Sequence, residues 1–256
     1  MKSLTLVVAA LSLTACPRRE DLEQEAAELA VDSTESSSDE GALLSSMLDG
    51  AESTGALAIT AEQAATGMAA RAAGRYTPAG CVTVEQTGAH LAYTFDNCVG
   101  PRGLRTVDGV VEVDVSIDGE AIVAAANATD FHIGLATVEI DATGRYTNTN
   151  NTQALAVVTH TSGVGGRGFE LEHDGDYTVS WDDDCVTLEG AWSSSRGDLA
   201  RSTTAEVTRC RATCPTGSIT RTTVRDNVIE IAFDGTATAS WSSSRGRSGT
   251  FALACP

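Results

Sequence analysis

Lysine is all but missing from this chain. Of its 256 residues a single one, Lys2, is a lysine, so every later cationic side chain is an arginine. Schiff-base chemistry and Ser-Lys dyads need an amine whose pKa can be lowered, and both are excluded. Positive charge of any kind is scarce: 17 Lys and Arg stand against 35 Asp and Glu, a net charge of −18. A surface of that sign repels phosphate backbones and anionic headgroups, which removes nucleic acid from the expected partners. Aromatic residues make up only 5%, so smaller side chains must fill most of the core. Catalytic and metal signatures are missing too. The histidines His90, His132, His160 and His173 stand alone, without HExxH, HxH or His-x-x-x-His spacing, and there is no G-x-S-x-G elbow. GVGGRG at 163–168 matches G-x-G-x-x-G in letters, but it leads into the alternating stretch FELEH. With no helix to follow, no helix N-terminus is there to cradle a pyrophosphate, and the segment reads as a hairpin loop. The expectation is therefore no cofactor, no metal and no catalytic residue.

What is present begins with an address. The opening MKSLTLVVAALSLTAC sets Lys2 before an uncharged run from Leu4 to Leu13, then small residues and Cys16. That order is a secretory signal, and the run is about half of what a bilayer-spanning helix needs. Leu13-Thr14-Ala15-Cys16 resembles the lipobox of bacterial lipoproteins. The resemblance implies removal of residues 1–15, a diacylglycerol thioether on Cys16 and an acylated amino terminus. Several such chains, palmitate among them, hold a protein on a membrane surface. In that family Asp after the cysteine typically retains the protein at the inner membrane. Here Pro17 follows, which favours the outer membrane.

Residues 16–41 carry many acids and few bulky apolar side chains. They cannot bury enough surface to offset ordering entropy, and the expectation is an acidic, disordered tether. Residues 42–74 read as helical. Leu43, Leu44, Met47 and Leu48 share one face ahead of Gly50, and Thr60 with Gln63 makes a capping box before AEQAATGMAARAAG. From 75 to 256 the apolar period changes from that of a helix to that of a strand. Val111, Val113, Val115 and Ile117 alternate with polar residues, as do Val138 and Ile140, Phe169 to His173, Tyr177 to Trp181, and Ile229 to Phe233. Turn signals fall at 118–119, 148–151, 163–168, 174–176, 182–184, 226–227 and 234–235. The fold class predicted is all-β, an antiparallel meander of about a dozen strands closed or curled into a barrel or sandwich. The alanine-rich helix would cover an open end or edge.

One segment occurs twice. WSSSRG stands at 192–197 and again at 241–246. By alternation Trp192 continues the set Val186, Leu188, Gly190, and Trp241 continues Ala237 and Ala239. Both rings are then expected inside, in a duplicated β-hairpin. The sharper alternative makes Trp192 and Trp241 a sugar-stacking platform. Alternation also pairs the cysteines. Seven minus Cys16 leaves six, and an even number in an exported domain suggests disulfides. The expected bonds are Cys81–Cys98 and Cys185–Cys210, each on the wet side of neighbouring strands, with Cys214–Cys255 tying down the carboxy terminus. Asp182, Asp183 and Asp184 are calcium-ligand candidates, although consecutive strand residues point to opposite sides. The expected function is a membrane-anchored, surface-exposed envelope lipoprotein with a non-catalytic structural or binding domain facing a protein or glycan partner. Alternatives are a carrier holding a lipid in a curved-sheet cavity, a glycan-binding module, or a hydrolase.

Overall fold

The computed structural model describes residues 60–255 except 100–105, 150–151, 166–167, 169, 183, 197–198, 212, 224–225 and 254. The signal at 1–15, Cys16, the tether at 16–41 and the helix expected at Leu43–Leu48 lie outside the described residues.

The described chain starts with α1 (Ala61–Ala72), opened by the expected capping box. Thr60 N donates to Gln63 Oε1 at 2.8 Å and Gln63 N donates to Thr60 Oγ1 at 3.2 Å, which satisfies two helix-end donors reciprocally. The buried face consists of Ala64, Ala65, Met68 and Ala72. Three of these are alanines, so the helix settles close onto the first strands of the sheet. Among the described residues no helix is long and apolar enough to cross a membrane.

Thirteen strands follow: β1 (Val82–Thr87), β2 (His90–Val99), β3 (Thr106–Asp118), β4 (Ala121–Ile133), β5 (Ala136–Thr149), β6 (Thr152–Val164), β7 (Glu170–Trp181), β8 (Cys185–Arg196), β9 (Leu199–Cys210), β10 (Thr216–Thr222), β11 (Val228–Asp234), β12 (Thr238–Ser243) and β13 (Ser248–Ala252). They form one antiparallel sheet in which spatial order equals sequence order. The sheet is all-β and curled, and β1 does not pair with β13. Helix α1 lies against β1, β2 and β3, which covers one end.

Alternation sets the two faces. Val111, Val113 and Val115 are 2%, 0% and 5% exposed, while Glu112 and Asp114 between them face water. One continuous apolar cluster runs from Ala64 on α1 to Trp241 on β12. The buried polar residues are Thr159, Thr161, Thr203, Arg221 and Asn227, with no carboxylate among the described residues. An unpaired buried carboxylate would be expensive, so the acids gather on the outer face.

Curvature comes from irregular pairing. β2 gains an extra residue relative to β3 between Phe95 and Cys98, and β4 is out of step with both neighbours around Ala128 to Phe131. Such bulges bend and twist a strand. Phe95 and Phe131 meet edge to face at 5.8 Å inside the bend. Farther along, aromatic rings lie over glycines. The Tyr177 ring covers Gly175 on its own strand β7, and the Trp241 indole rests on Gly249 of β13, where an added Cβ would come within 3.0 Å of its Cε2. Large against small keeps the inner face filled.

The three disulfides are Cys81–Cys98, Cys185–Cys210 and Cys214–Cys255, the pairs expected from strand alternation. The face of the first was misjudged. Cys81 and Cys98 are 8% and 0% exposed, because the β2 bulge shifts the phase after Phe95 and turns Cys98 inward. Two further expectations are corrected. The segment 174–176 is no turn but the middle of the continuous strand β7. Ile117 and Val186 follow the apolar alternation, yet both are about 40% exposed (39% and 41%), each being next to the last residue at its end of the strand.

Candidate functional site

The duplicated hexapeptide leads to the most densely functionalised part of the sheet. In both copies the tryptophan is an interior residue: Trp192 is 3% and Trp241 6% exposed. Neither indole can offer a face to a sugar, so the platform alternative for these two rings fails on burial. Trp192 instead meets the edge of Tyr177 at 6.5 Å. After the tryptophan the copies diverge. In the second, Ser244 to Arg247 form the β12–β13 turn, closed by Ser243 N donating to Arg247 O at 2.8 Å. Ser244 Oγ there accepts from Val228 N and donates to Asn227 Oδ1, both at 3.1 Å. In the first copy the strand continues to Arg196, so its serines alternate across the sheet.

Ser193 and Ser195 point outward, against the acids of β7. Register places Asp174 opposite Ser193 and Glu172 opposite Ser195. The Ser193 hydroxyl lies 3.5 Å from Asp174 Oδ2 and the Ser195 hydroxyl 3.5 Å from Glu172 Oε2. On the other side of β7, His160 of β6 stands directly opposite Asp174, and Asp141 of β5 stands opposite His160. His160 Nδ1 is 2.7 Å from Asp174 Oδ1, with both side chains about half exposed (52% and 56%). The bond to Asp174, reinforced by the charges of Asp174, Glu172 and Asp141, pushes the His160 pKa up. A recess of about 590 Å³ opens over this row, bordered by Asp141, Val158, His160, Asp174, Asp176 and Ser202. Val158 is 58% exposed there and Ala191 is exposed beside it, so carboxylates and hydroxyls frame an apolar floor.

A related arrangement lies at the helix-covered end. His90 on β2 faces Asp114 across the strand pair, with Glu112 two residues along β3. Its Nδ1 is 2.9 Å from Asp114 Oδ1 and its Nε2 is 2.9 Å from Glu112 Oε2. The hydrogen bond to Asp114 is the main cause of a raised pKa, and both acid charges add to it. In an NMR titration the His90 ring is expected to lose its proton above the usual 6.5, and D114N is expected to bring it back down. A folded pKa above the unfolded one means that the stabilisation is whole below the unfolded value and vanishes as pH rises through the folded one. A His90 ring titrating at or below the usual value would refute the pairing.

On the inner face, His173 of β7 faces Ser194 of β8, and their Nδ1 and Oγ share a hydrogen bond of 2.9 Å. Burial drives the His173 pKa down, partly offset by Asp174, so the imidazole is neutral. A neutral histidine on a serine hydroxyl suits general-base chemistry. The setting does not. Ser194 is in mid-strand, and the ladders to β7 and β9 occupy the N–H groups that an oxyanion would need. His132 stands opposite Asp108 on the outer face of β4.

Asp182, a calcium candidate, has a different task. Its Oδ1 accepts from Asp184 N at 2.9 Å and Cys185 N at 2.7 Å, which closes the β7–β8 turn and lowers its pKa. Asp184 is exposed beside it, and Asp183 is outside the described residues. Among the described residues, Asp182 and Asp184 belong to no cluster of three ligands. What the sequence reading missed is the facing of His160 and Asp174. The signal was there, since folding the chain about the loop at 163–168 sets these two opposite each other. Taking 174–176 for a turn cut β7 in half and hid the match.

Comparison with protein-family models, with curated proteins and with solved structures returns no match.

Proposed function

We infer that this chain is an exported lipoprotein of the bacterial cell envelope, held on the outer membrane by lipid on Cys16. Its β domain serves as a non-catalytic binding module. The observation that carries this reading is the distribution of sulfur. All six cysteines of the folded part are joined in three disulfides, and Cys16 is the one cysteine left over. Disulfides persist in oxidising compartments, and a lone cysteine behind an apolar leader is the acceptor that lipidation requires.

The two faces of the sheet support the binding role. Tyr93, Phe95, Phe131, Tyr177, Trp192 and Trp241 fill the inner face, each at most 6% exposed, which favours a packed module over a lipid carrier. The recess over His160 is on the outer face, where a soluble protein or glycan partner would meet hydroxyls and carboxylates. Against the hydrolase reading, the His173–Ser194 pair lacks a neighbouring set of free backbone donors, as described above.

The test is metabolic labelling with an alkynyl fatty acid in a Gram-negative host. Wild-type protein is expected to take up label and sediment with membranes. C16S is expected to take up none and to leave the membrane fraction. Labelling that persists in C16S, or a wild type without label, would overturn the reading.

A further inference from the structure

We propose that His160, Glu172 and Asp174 form a divalent metal site on the outer face of β6 and β7, one that takes Zn²⁺ in preference to Ca²⁺. One ring nitrogen and two carboxylate oxygens lie within 4.8 Å of one another. Ligands about 2.0–2.2 Å from a shared zinc ion stand some 3–4 Å apart, so small rotamer changes bring this set to bonding distance. Position is fixed by backbone. His160 and Asp174 are register partners, and Glu172 projects from the same face of β7. Both strands are paired on each side, so the ligands stand on rigid elements and not on loops.

Two features beyond the triad point the same way. The hydroxyls of Ser193 and Ser195 reach Asp174 and Glu172 from β8, the outer hydrogen bonds that orient ligating carboxylates. The recess over His160 and Asp174 leaves space above the triad, where water or a partner's oxygen completes the coordination. Metal binding replaces the proton now shared by His160 Nδ1 and Asp174 Oδ1, which passes to solvent. The imidazole sets the preference, since nitrogen suits zinc-like ions and calcium selects all-oxygen cages.

The molecule supplies its own control. His90, Glu112 and Asp114 are the same residue types in the same register, but the His90 ring is bound at both nitrogens, one carboxylate on each. The two acids therefore flank opposite edges of the ring and do not converge on one nitrogen.

The proposal does not depend on the anchor, and the experiment keeps the two apart. Full-length protein in detergent, stripped with chelator, is titrated calorimetrically with ZnCl₂ and separately with CaCl₂, in wild type, C16S, H160Q, D174N and H90Q. Expected are one Zn²⁺ per chain in wild type, C16S and H90Q, and weaker binding of Ca²⁺ than of Zn²⁺. Losing a ligand should exceed the roughly tenfold cost of losing an outer partner, so H160Q and D174N are each expected to bind Zn²⁺ at least tenfold more weakly. Three outcomes would overturn the site: no Zn²⁺ binding by wild type, H160Q matching wild type, or H90Q weakening as much as H160Q. His160 and Asp174 are exposed, and matching thermal melts separate loss of a ligand from loss of fold.

Discussion

Replacing Phe95 by alanine is expected to destabilise the protein by about 4 kcal/mol and to lower its melting temperature by roughly 10 °C. Phe95 is 2% exposed and is the hub of an aromatic cluster. Tyr76 meets it edge to face at 5.1 Å, Tyr93 stacks at 6.1 Å, and Phe131 meets it edge to face at 5.8 Å. With so few aromatic residues elsewhere, no neighbour can collapse into the space left behind. The site is also where β2 bulges and where β4 loses step with its neighbours, so backbone relaxation is constrained from two sides. Phe95→Leu retains most of the volume and is expected to cost clearly less, roughly 1–2 kcal/mol. Equal melting temperatures for wild type and F95A would mean that the bend is not held by this cluster.

The second large effect is expected at a residue with no side chain. Gly217 lies in β10 at φ +112, and a Cβ there would run into the carbonyl oxygen of Glu206 on β9. Neither partner can yield cheaply, because both belong to the ladder in which Gly217 faces Val207. Steric overlap and a backbone angle hostile to L side chains combine, and G217A is expected to lose roughly 3–5 kcal/mol. Gly88 is the comparison. It has φ +62 with nothing within 4 Å, so G88A carries only the left-handed penalty of about 1–2 kcal/mol. Chemical denaturation of both variants checks the difference. Similar midpoints for G217A and G88A would show that the strand pair gives way without resistance.

Much of this architecture is written in the alternation of the chain. The set Ile229, Ile231 and Phe233 marks buried positions, and these residues are 0%, 0% and 7% exposed. The capping box at Thr60 marks the helix start. Ile117 and Val186 were misread because they lie at strand ends, and the other two errors come from misjudging where a strand is regular and unbroken. A bulge at 96–97 inverted the face of Cys98, and Asp174-Gly175-Asp176, composed like a turn, runs straight through β7. Gly175 stays in the strand because it is opposite Trp192 and Thr159, whose bulk fills the row on either side. The candidate site was harder to read. It is assembled across strands, so local spacing of His, Glu and Asp carries no trace of it until the register of β6 on β7 is known.

The ladder order has a consequence for how such a chain comes to be folded. Each strand bonds only to the strands immediately before and after it in the chain, so every pairing closes a short loop and pays little closure entropy. Growth can run like a zip, each new hairpin adding to a completed edge. On the export proposed above, a polypeptide threaded amino end first delivers its strands in that same sequence. The cysteine pairs respect it as well, since Cys81–Cys98 and Cys185–Cys210 each lock neighbours that have just met. Cys214–Cys255 is the last clasp, made only when the final strand has arrived.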